Sequence, residues 1–216
     1  AGDRISTQSV TLDETLMKEF YKKSLISYDK ENGGFGLAPK FPPTMKMRLL
    51  LRIAQRTGDK QAVKMVASTL EAMARGGIYD HVGGGFHRYS TDPIWLVPHF
   101  EKMLYDQAAL ATVYLEGYQV TQNAVLESVA RGILDYVLKD MTGSQGGFYS
   151  AEDADSEGEE GTYYVWSDVE LKKILTPEEY QQAIKIFEVT PQGNFEVTGK
   201  NILHLRKDIS WKESAS

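Results

Sequence analysis

Residues 76–106 read GGIYDHVGGGFHRYSTDPIWLVPHFEKMLYD. The stretch holds three of the chain's four histidines, together with Arg88, Asp80 and Asp92. Neither a hydrophobic core nor a plain loop needs that mixture. Glycines let the backbone fold tightly while imidazoles and carboxylates move protons, so the segment reads as a site-forming stretch between two helices. Its Gly84-Gly85-Phe86 turn recurs as Gly33-Gly34-Phe35 and Gly146-Gly147-Phe148, at intervals of 51 and 62 residues. Each interval has room for two helices and a loop. Similar turns at that period predict helical hairpins repeated around an axis, stacking their apolar faces on neighbours, with the functional loops at one end.

Outward from these turns, Leu12, Leu16, Phe20, Leu25 and Tyr28 fall at roughly helical spacing and predict a helix over 12–28. Thr11 is its expected N-cap, with Glu14 completing a capping box. Residues 35–43 run extended because their prolines disfavour helix for the residue before each. Further helices are predicted over 44–56, 60–75, 98–121 and 123–138, the second of these ahead of Gly76-Gly77 as C-terminal glycines and the third with Pro98 in its first turn. Two shorter ones follow over 167–174, with Ser167 as N-cap and Glu170 at N3, and over 177–188 after Thr176. Residues 143–161 form a loop with short strands, 162–166 a strand, and 190–205 a loop with short extended pieces. The tail over 209–216 reads as frayed. The fold class is all-α, with short β pieces around 147–166 and 194–205.

At 216 residues and 42% hydrophobic composition, the chain buries a substantial core and is read as a single domain over 1–216. No run of about 18 uncharged apolar residues occurs, and the start AGDRISTQ lacks a basic and an apolar region, so neither a membrane span nor a signal peptide is expected. The absence of cysteine excludes disulfides, thiolate catalysis and Cys-ligated metal, and fits a reducing, cytoplasmic setting. A formal charge of −6 argues against nucleic acid and anionic membrane as partners. Small neutral molecules or proteins fit better.

Several residues have the chemistry of a site. On a helix beginning at Pro98, His99 and Asp106 share a face, and Glu101 and Tyr105 share another. A neutral His99 in that first turn is either a base oriented by Asp106 or a cap that bonds a backbone group. His81, His87 and His99 lie at spacings of six and twelve, which match no zinc pattern, so no metal and no cofactor are expected. Arg88 suits an anionic group, or else a salt bridge with Asp80 or Asp92. Residues 152–160 carry six carboxylates. They begin like a calcium loop, but the twelfth position is Tyr164 where a bidentate Glu is needed. A solvated acidic turn is one reading; the other has Glu152, Asp153 and Asp155 facing a pocket beside Tyr149 and Trp166, an arrangement suited to sugars. Trp95 and Phe86 serve either as further stacking faces or as core plugs.

Three stretches, GGFGLAPKFP at 33–42, residues 77–106 and residues 146–166, together resemble the spermatogenesis-associated protein 20 family, with the resemblance spanning about 11–205. It implies a thioredoxin-like N-terminal domain followed by an (α/α) toroid similar to six-hairpin glycosidases and N-acylglucosamine 2-epimerases. This chain has no thioredoxin-like domain and no Cys-x-x-Cys motif, and its five long and two short helices make about half of six hairpins. A partial (α/α) toroid, the first part of one cut from a longer protein, is therefore expected. The family has no firmly assigned reaction. By analogy with toroid enzymes, His99, Asp106, Glu152 and Asp153 are the candidate catalytic groups, and His81, His87, Arg88, Trp95, Tyr105, Asp155 and Trp166 the candidate substrate contacts. The leading reading is a carbohydrate-active domain of hydrolase or epimerase type; the other is a non-catalytic binding or scaffold module. The expected partners are a small molecule such as a sugar and the rest of the parent chain. An uncovered half-toroid is also expected to self-associate.

Overall fold

A computed structural model describes residues 14–196 and 198–209. The expected cap at Thr11, the first turn at Leu12, and the tail over 210–216 lie outside the described residues. Seven helices and eight short strands are described: α1 Glu14–Ser27, α2 Thr44–Thr57, α3 Lys60–Arg75, β1 Tyr89–Ser90, β2 Pro98–His99, β3 Lys102–Met103, α4 Leu104–Thr121, α5 Ala124–Lys139, β4 Ala151–Glu152, β5 Asp155–Ser156, β6 Glu159–Glu160, β7 Val165–Ser167, α6 Asp168–Ile174, α7 Pro177–Ile186 and β8 Lys200–Ile202.

Apolar residues at three- and four-residue spacing make the long helices one-sided. On α3 the buried stripe is Ala62, Met65, Val66, Thr69, Leu70, Met73 and Ala74, and Asp59 caps its start by accepting the Gln61 and Ala62 N–H groups. On α5 the stripe is Leu126, Val129, Ala130, Ile133 and Tyr136, capped by Asn123. Helix α2 packs on α3 and α4, α3 on α4 and α5, and α4 on α5. Odd-numbered helices α1, α3 and α5 each run into a Gly-Gly turn. This is part of an (α/α) toroid of helical hairpins. The capping box expected at Ser167 and Glu170 is formed, and Thr176 and Glu179 form a second one.

The three turns share one backbone plan. Tyr28 bridges Phe35, Tyr79 bridges Phe86, and Thr142 bridges Phe148. In the first two, the residue after the tyrosine is an aspartate that exchanges backbone hydrogen bonds with both glycines, as Asp29 with Gly33 and Gly34 and Asp80 with Gly84 and Gly85. A buried lysine then closes each turn. Lys40 Nζ donates to Asp29 (2.6 Å) and the Gly33 carbonyl (2.9 Å); Lys102 Nζ donates to Asp80 (2.8 Å) and the Gly84 carbonyl (2.9 Å). Burial by itself raises both aspartate pKa values, but the lysines and the backbone N–H donors outweigh it and hold both carboxyls below the usual range. The third turn has Gly143 where the others have aspartate.

Gly85 sits at φ +76°, and a methyl there meets the Tyr136 ring at 2.5 Å. Gly146 has a similar φ of +81° with nothing within 4 Å. Gly85→Ala is therefore expected to destabilise by roughly 2–4 kcal/mol, and Gly146→Ala by only about 1–2 kcal/mol, measured by urea unfolding. Equal losses would mean that Tyr136 is not packed on the turn.

Two local expectations are corrected. Helix α4 begins at Leu104, and the preceding residues are extended: β2 pairs with β1, and β3 with β4. Pro98, Phe100 and Lys102 alternate inward while His99, Glu101 and Met103 are half-buried. A buried lysine at an inward position disguises that alternation, so Pro98 reads falsely as a helix start. Gly76 does follow α3, but at φ −75°; its need for glycine is steric, since a Cβ there would meet the Trp95 carbonyl at 2.2 Å. The strand expected over 162–166 pairs only over Val165–Ser167, with β8.

The main core joins α2 to α5 with Ile78, Phe86 and Trp95. A smaller one gathers Phe100, Ala154, Val165 and Ile202 beneath the short strands. Among the described residues no helix is long and apolar enough to cross a membrane.

Candidate functional site

The extended run through β2 places His99 and Glu101 on the same side, two residues apart, a juxtaposition that the helical reading misses. From the acidic segment, the hairpin of β5 and β6 pairs Asp155 with Glu160 and brings Glu160 over His99. Glu160 Oε1 lies 2.7 Å from His99 Nδ1 and also accepts the Phe100 N–H at 3.2 Å. An ionised carboxylate only accepts, so Nδ1 carries a proton and Nε2 is the free end of the ring. Nε2 lies 3.8 Å from Glu101 Oε2, which accepts from Arg88 Nη1 at 3.0 Å. Arg88 thus pairs with Glu101, rather than with Asp80 or Asp92. Tyr89 stacks on the His99 ring at 5.1 Å, and Phe41 stacks on Tyr89 at 4.6 Å.

Asp106, in the first turn of α4, completes the group. Its Oδ2 is buried and has no hydrogen-bond partner among the described residues. Burial pushes its pKa up from 3.8 to about 6; Arg88 opposes the shift and Glu101 adds to it. Because this carboxyl binds its proton more tightly folded than unfolded, its contribution to stability is full below about pH 4 and is lost as pH rises through 6. Asp106→Asn is expected to flatten that slope, read from urea midpoints between pH 4 and 7. An unchanged slope would place the titration elsewhere.

The remaining predicted residues fall into separate places. Glu152 accepts the Tyr136 hydroxyl at 2.5 Å and the Tyr164 hydroxyl at 3.4 Å, in a cavity of about 330 Å³ that also includes Lys102, Asp153 and Asp155. Burial first, then Glu152, pushes the Tyr136 and Tyr164 hydroxyls well above their ordinary pKa. Asp153 accepts the Asp155 N–H in a short turn, and both are exposed. His81, His87 and Trp166 line a different cavity of about 550 Å³. Burial lowers the His81 pKa to about 4 and, with the Lys102 ammonium, the His87 pKa to about 3. Both rings are neutral at pH 7. Tyr105 is exposed beside Arg88. Trp95 is corrected: its ring is fully buried, its Nε1 donates to the Asn32 carbonyl, and no face is open to a substrate. His99 is likewise neither on a helix nor oriented by Asp106; Glu160 holds it. No group of three His, Asp or Glu side chains is arranged to hold a metal among the described residues.

Glu101, Glu160 and Lys102 are the residues that sequence reasoning missed. For Lys102 a signal existed: Tyr-Asp-x-x-x-Gly-Gly-Phe occurs at both 28–35 and 79–86, and each copy is followed by one buried lysine.

No protein-family model matches the chain. Against curated proteins it is 44% identical over 212 residues to spermatogenesis-associated protein 20 of Homo sapiens, covering 84% of this chain and 27% of that protein. The Mus musculus protein is 40% identical over 239 residues, covering 96% and 29%. The chain is homologous to one segment of spermatogenesis-associated protein 20. It spans less than a third of the length of these relatives.

Among solved structures, cellobiose 2-epimerase from Bacillus thermoamylovorans superposes with a TM-score of 0.55 at 16% identity, covering 65% of this chain and 42% of that one. The Spirochaeta thermophila cellobiose 2-epimerase gives 0.53 at 18%, covering 65% and 40%. At that identity the likeness is one of fold. What this chain shares with these two epimerases is the (α/α) toroid fold over about two thirds of its length.

Proposed function

We propose that the His99 group is part of a carbohydrate-acting centre of epimerase type, in which a proton is moved on a sugar carbon next to a carbonyl. The observation that carries this reading is the imidazole held at Nδ1 by Glu160 at 2.7 Å, with Nε2, 3.8 Å from Glu101, left without a hydrogen bond among the described residues. Glycoside hydrolysis needs two carboxyls facing each other across the scissile bond. Here a histidine ring fills the space between the two carboxylates. Proton abstraction instead needs one base with a fixed tautomer, which Glu160 supplies by holding Nδ1–H and leaving Nε2 to take the proton. The fold shared with sugar 2-epimerases supports the same class, as analogy.

Arg88, beside the free end of His99, favours the negative charge that develops on the sugar oxygen. Asp106 tunes this pair, because its proton sets how much of the Arg88 charge remains after Glu101 is satisfied. Epimerisation returns the proton to the opposite face and so requires a second acid, which we assign to the rest of the parent protein. That remainder and a small sugar are the partners this reading requires.

Calorimetric titration with a panel of aldoses and disaccharides tests the binding half of the proposal. At least one sugar is expected to bind saturably, with affinity about tenfold weaker in His99→Ala, the loss of one good polar contact. Heat from no sugar would favour the scaffold reading instead.

A further inference from the structure

The larger cavity, of about 550 Å³, has no role in the centre just described: His99, Glu101, Asp106 and Glu160 are all absent from its lining. Its walls come from the second Gly-Gly turn, the run through Tyr163, Tyr164 and Trp166, and β8. At its buried side stands His87, only 2% exposed. Nδ1 of His87 faces the Phe100 carbonyl at 2.9 Å and must be the N–H, since a carbonyl only accepts. Nε2 is left as a lone pair with no hydrogen-bond partner among the described residues. The ring is held edge-on by Tyr164 at 4.7 Å and Phe100 at 5.2 Å, so it cannot turn to satisfy that nitrogen elsewhere. Tyr163 stands 74% exposed, its backbone N–H tied to Ser156 Oγ.

We propose that this cavity is a second binding site, for an uncharged ring that carries a hydroxyl group, with the hydroxyl donating to His87 Nε2 and the ring lying against Tyr163 and Tyr164. The electrostatics select against anions. Lys200, the one cation in the lining, is spent on Glu170 at 2.7 Å, and Asp80 and Glu157 also line the cavity, so an anion finds no free positive partner. A cation entering as far as His87 meets the Lys102 ammonium and the Asp80 carboxylate together, already paired at 2.8 Å, and gains nothing there from its charge. Aromatic walls with a few placed polar groups, here His87 Nε2 among them, are the usual composition of a small-molecule pocket. Burial keeps the His87 pKa near 3, so Nε2 stays an acceptor across the neutral range.

Two kinds of molecule carry that chemistry, phenols and sugar glycosides. The test is a long-range ¹H–¹⁵N spectrum of the histidine rings of the 216-residue chain, titrated separately with phenol, methyl β-glucopyranoside and toluene. At least one of the two hydroxylated probes is expected to move the His87 Nε2 resonance upfield in a saturable way, and which one responds identifies the source. Toluene is expected to leave it in place. Tyr163→Ala, at an exposed position that does not endanger folding, is expected to weaken binding about tenfold, the worth of one aromatic contact. His87→Phe is expected to abolish the preference for hydroxylated rings over toluene, read from the Tyr163 ring signals. If that variant does not fold, Tyr163→Ala decides alone. No shift at His87 with either hydroxylated probe, an equal response to toluene, or unchanged affinity in Tyr163→Ala would overturn the proposal. Because His99 is not involved, His99→Ala is expected to leave this binding intact.

Discussion

Lys102→Met is expected to destabilise the chain by about 3–5 kcal/mol in urea unfolding, the usual cost of stripping one partner from a buried ion pair. The side chain is 2% exposed and that of Asp80 is 11%, so neither has water to fall back on. Methionine keeps most of the apolar stem, yet it removes the ammonium that lies 4.4 Å and 4.9 Å from the Tyr136 and Tyr164 ring centroids and leaves Asp80 and the Gly84 carbonyl without their donor. The sign of the pH dependence separates this from a packing defect. With Lys102 present, Asp80 titrates below its ordinary range, and its stabilisation is lost only in acid. Without Lys102, burial is opposed only by the Val82 and Gly83 N–H donors, and the Asp80 pKa rises. The variant should then recover stability as pH falls and the carboxyl is neutralised. Adding Asp80→Asn should restore part of the loss at pH 7. Lys40→Met, at the equivalent turn, is expected to behave alike, since Lys40 is as deeply buried against Asp29. A Lys102→Met protein within about 1 kcal/mol of the parent would mean that this lysine is kept for chemistry rather than for closing the turn.

That pair also marks the limit of what the sequence discloses. The long helices were legible because α2, α3 and α5 each carry a one-sided apolar stripe, and the hairpin arrangement because three Gly-Gly-Phe turns recur. In α4 the apolar residues lie all round, burying Leu110, Val113 and Tyr114 while leaving Leu115 and Val120 about half exposed, so periodicity says little about which side faces the core. Its first turn was misplaced because Pro98 and the polar residues after it satisfy the local rules for a helix start, while the pairing of β2 with β1 and β3 with β4 is decided by contacts with residues far along the chain. For the same reason the acidic segment was seen as a neighbour of His99, but with the wrong residue. Glu152 is close in sequence to the third turn and bonds tyrosines, whereas Glu160 reaches His99 only after the β5–β6 hairpin folds back. Burial of Trp95 was equally hidden, because it depends on Gly76 admitting its backbone to close contact.

The proposed chemistry makes a sharper demand than binding does. A base that removes a proton from C2 of an aldose exchanges that proton with solvent, and loss of such a base costs about 10²–10⁴-fold in rate. His99→Gln keeps a polar side chain but no base. Glu160→Gln is a milder change: a glutamine oxygen still accepts from Nδ1–H, but the imidazolium formed during the reaction loses its carboxylate, at a cost of about tenfold or more. The most direct measurement is proton NMR of glucose, mannose and cellobiose in D₂O, following the C2–H signal with this chain and, in parallel, with full-length human spermatogenesis-associated protein 20. The expected result is enzyme-dependent loss of that signal for at least one sugar, abolished in His99→Gln and slowed in Glu160→Gln. Exchange that persists unchanged in His99→Gln, or no exchange by either protein with any of the three sugars, would contradict the assignment of His99 as the base.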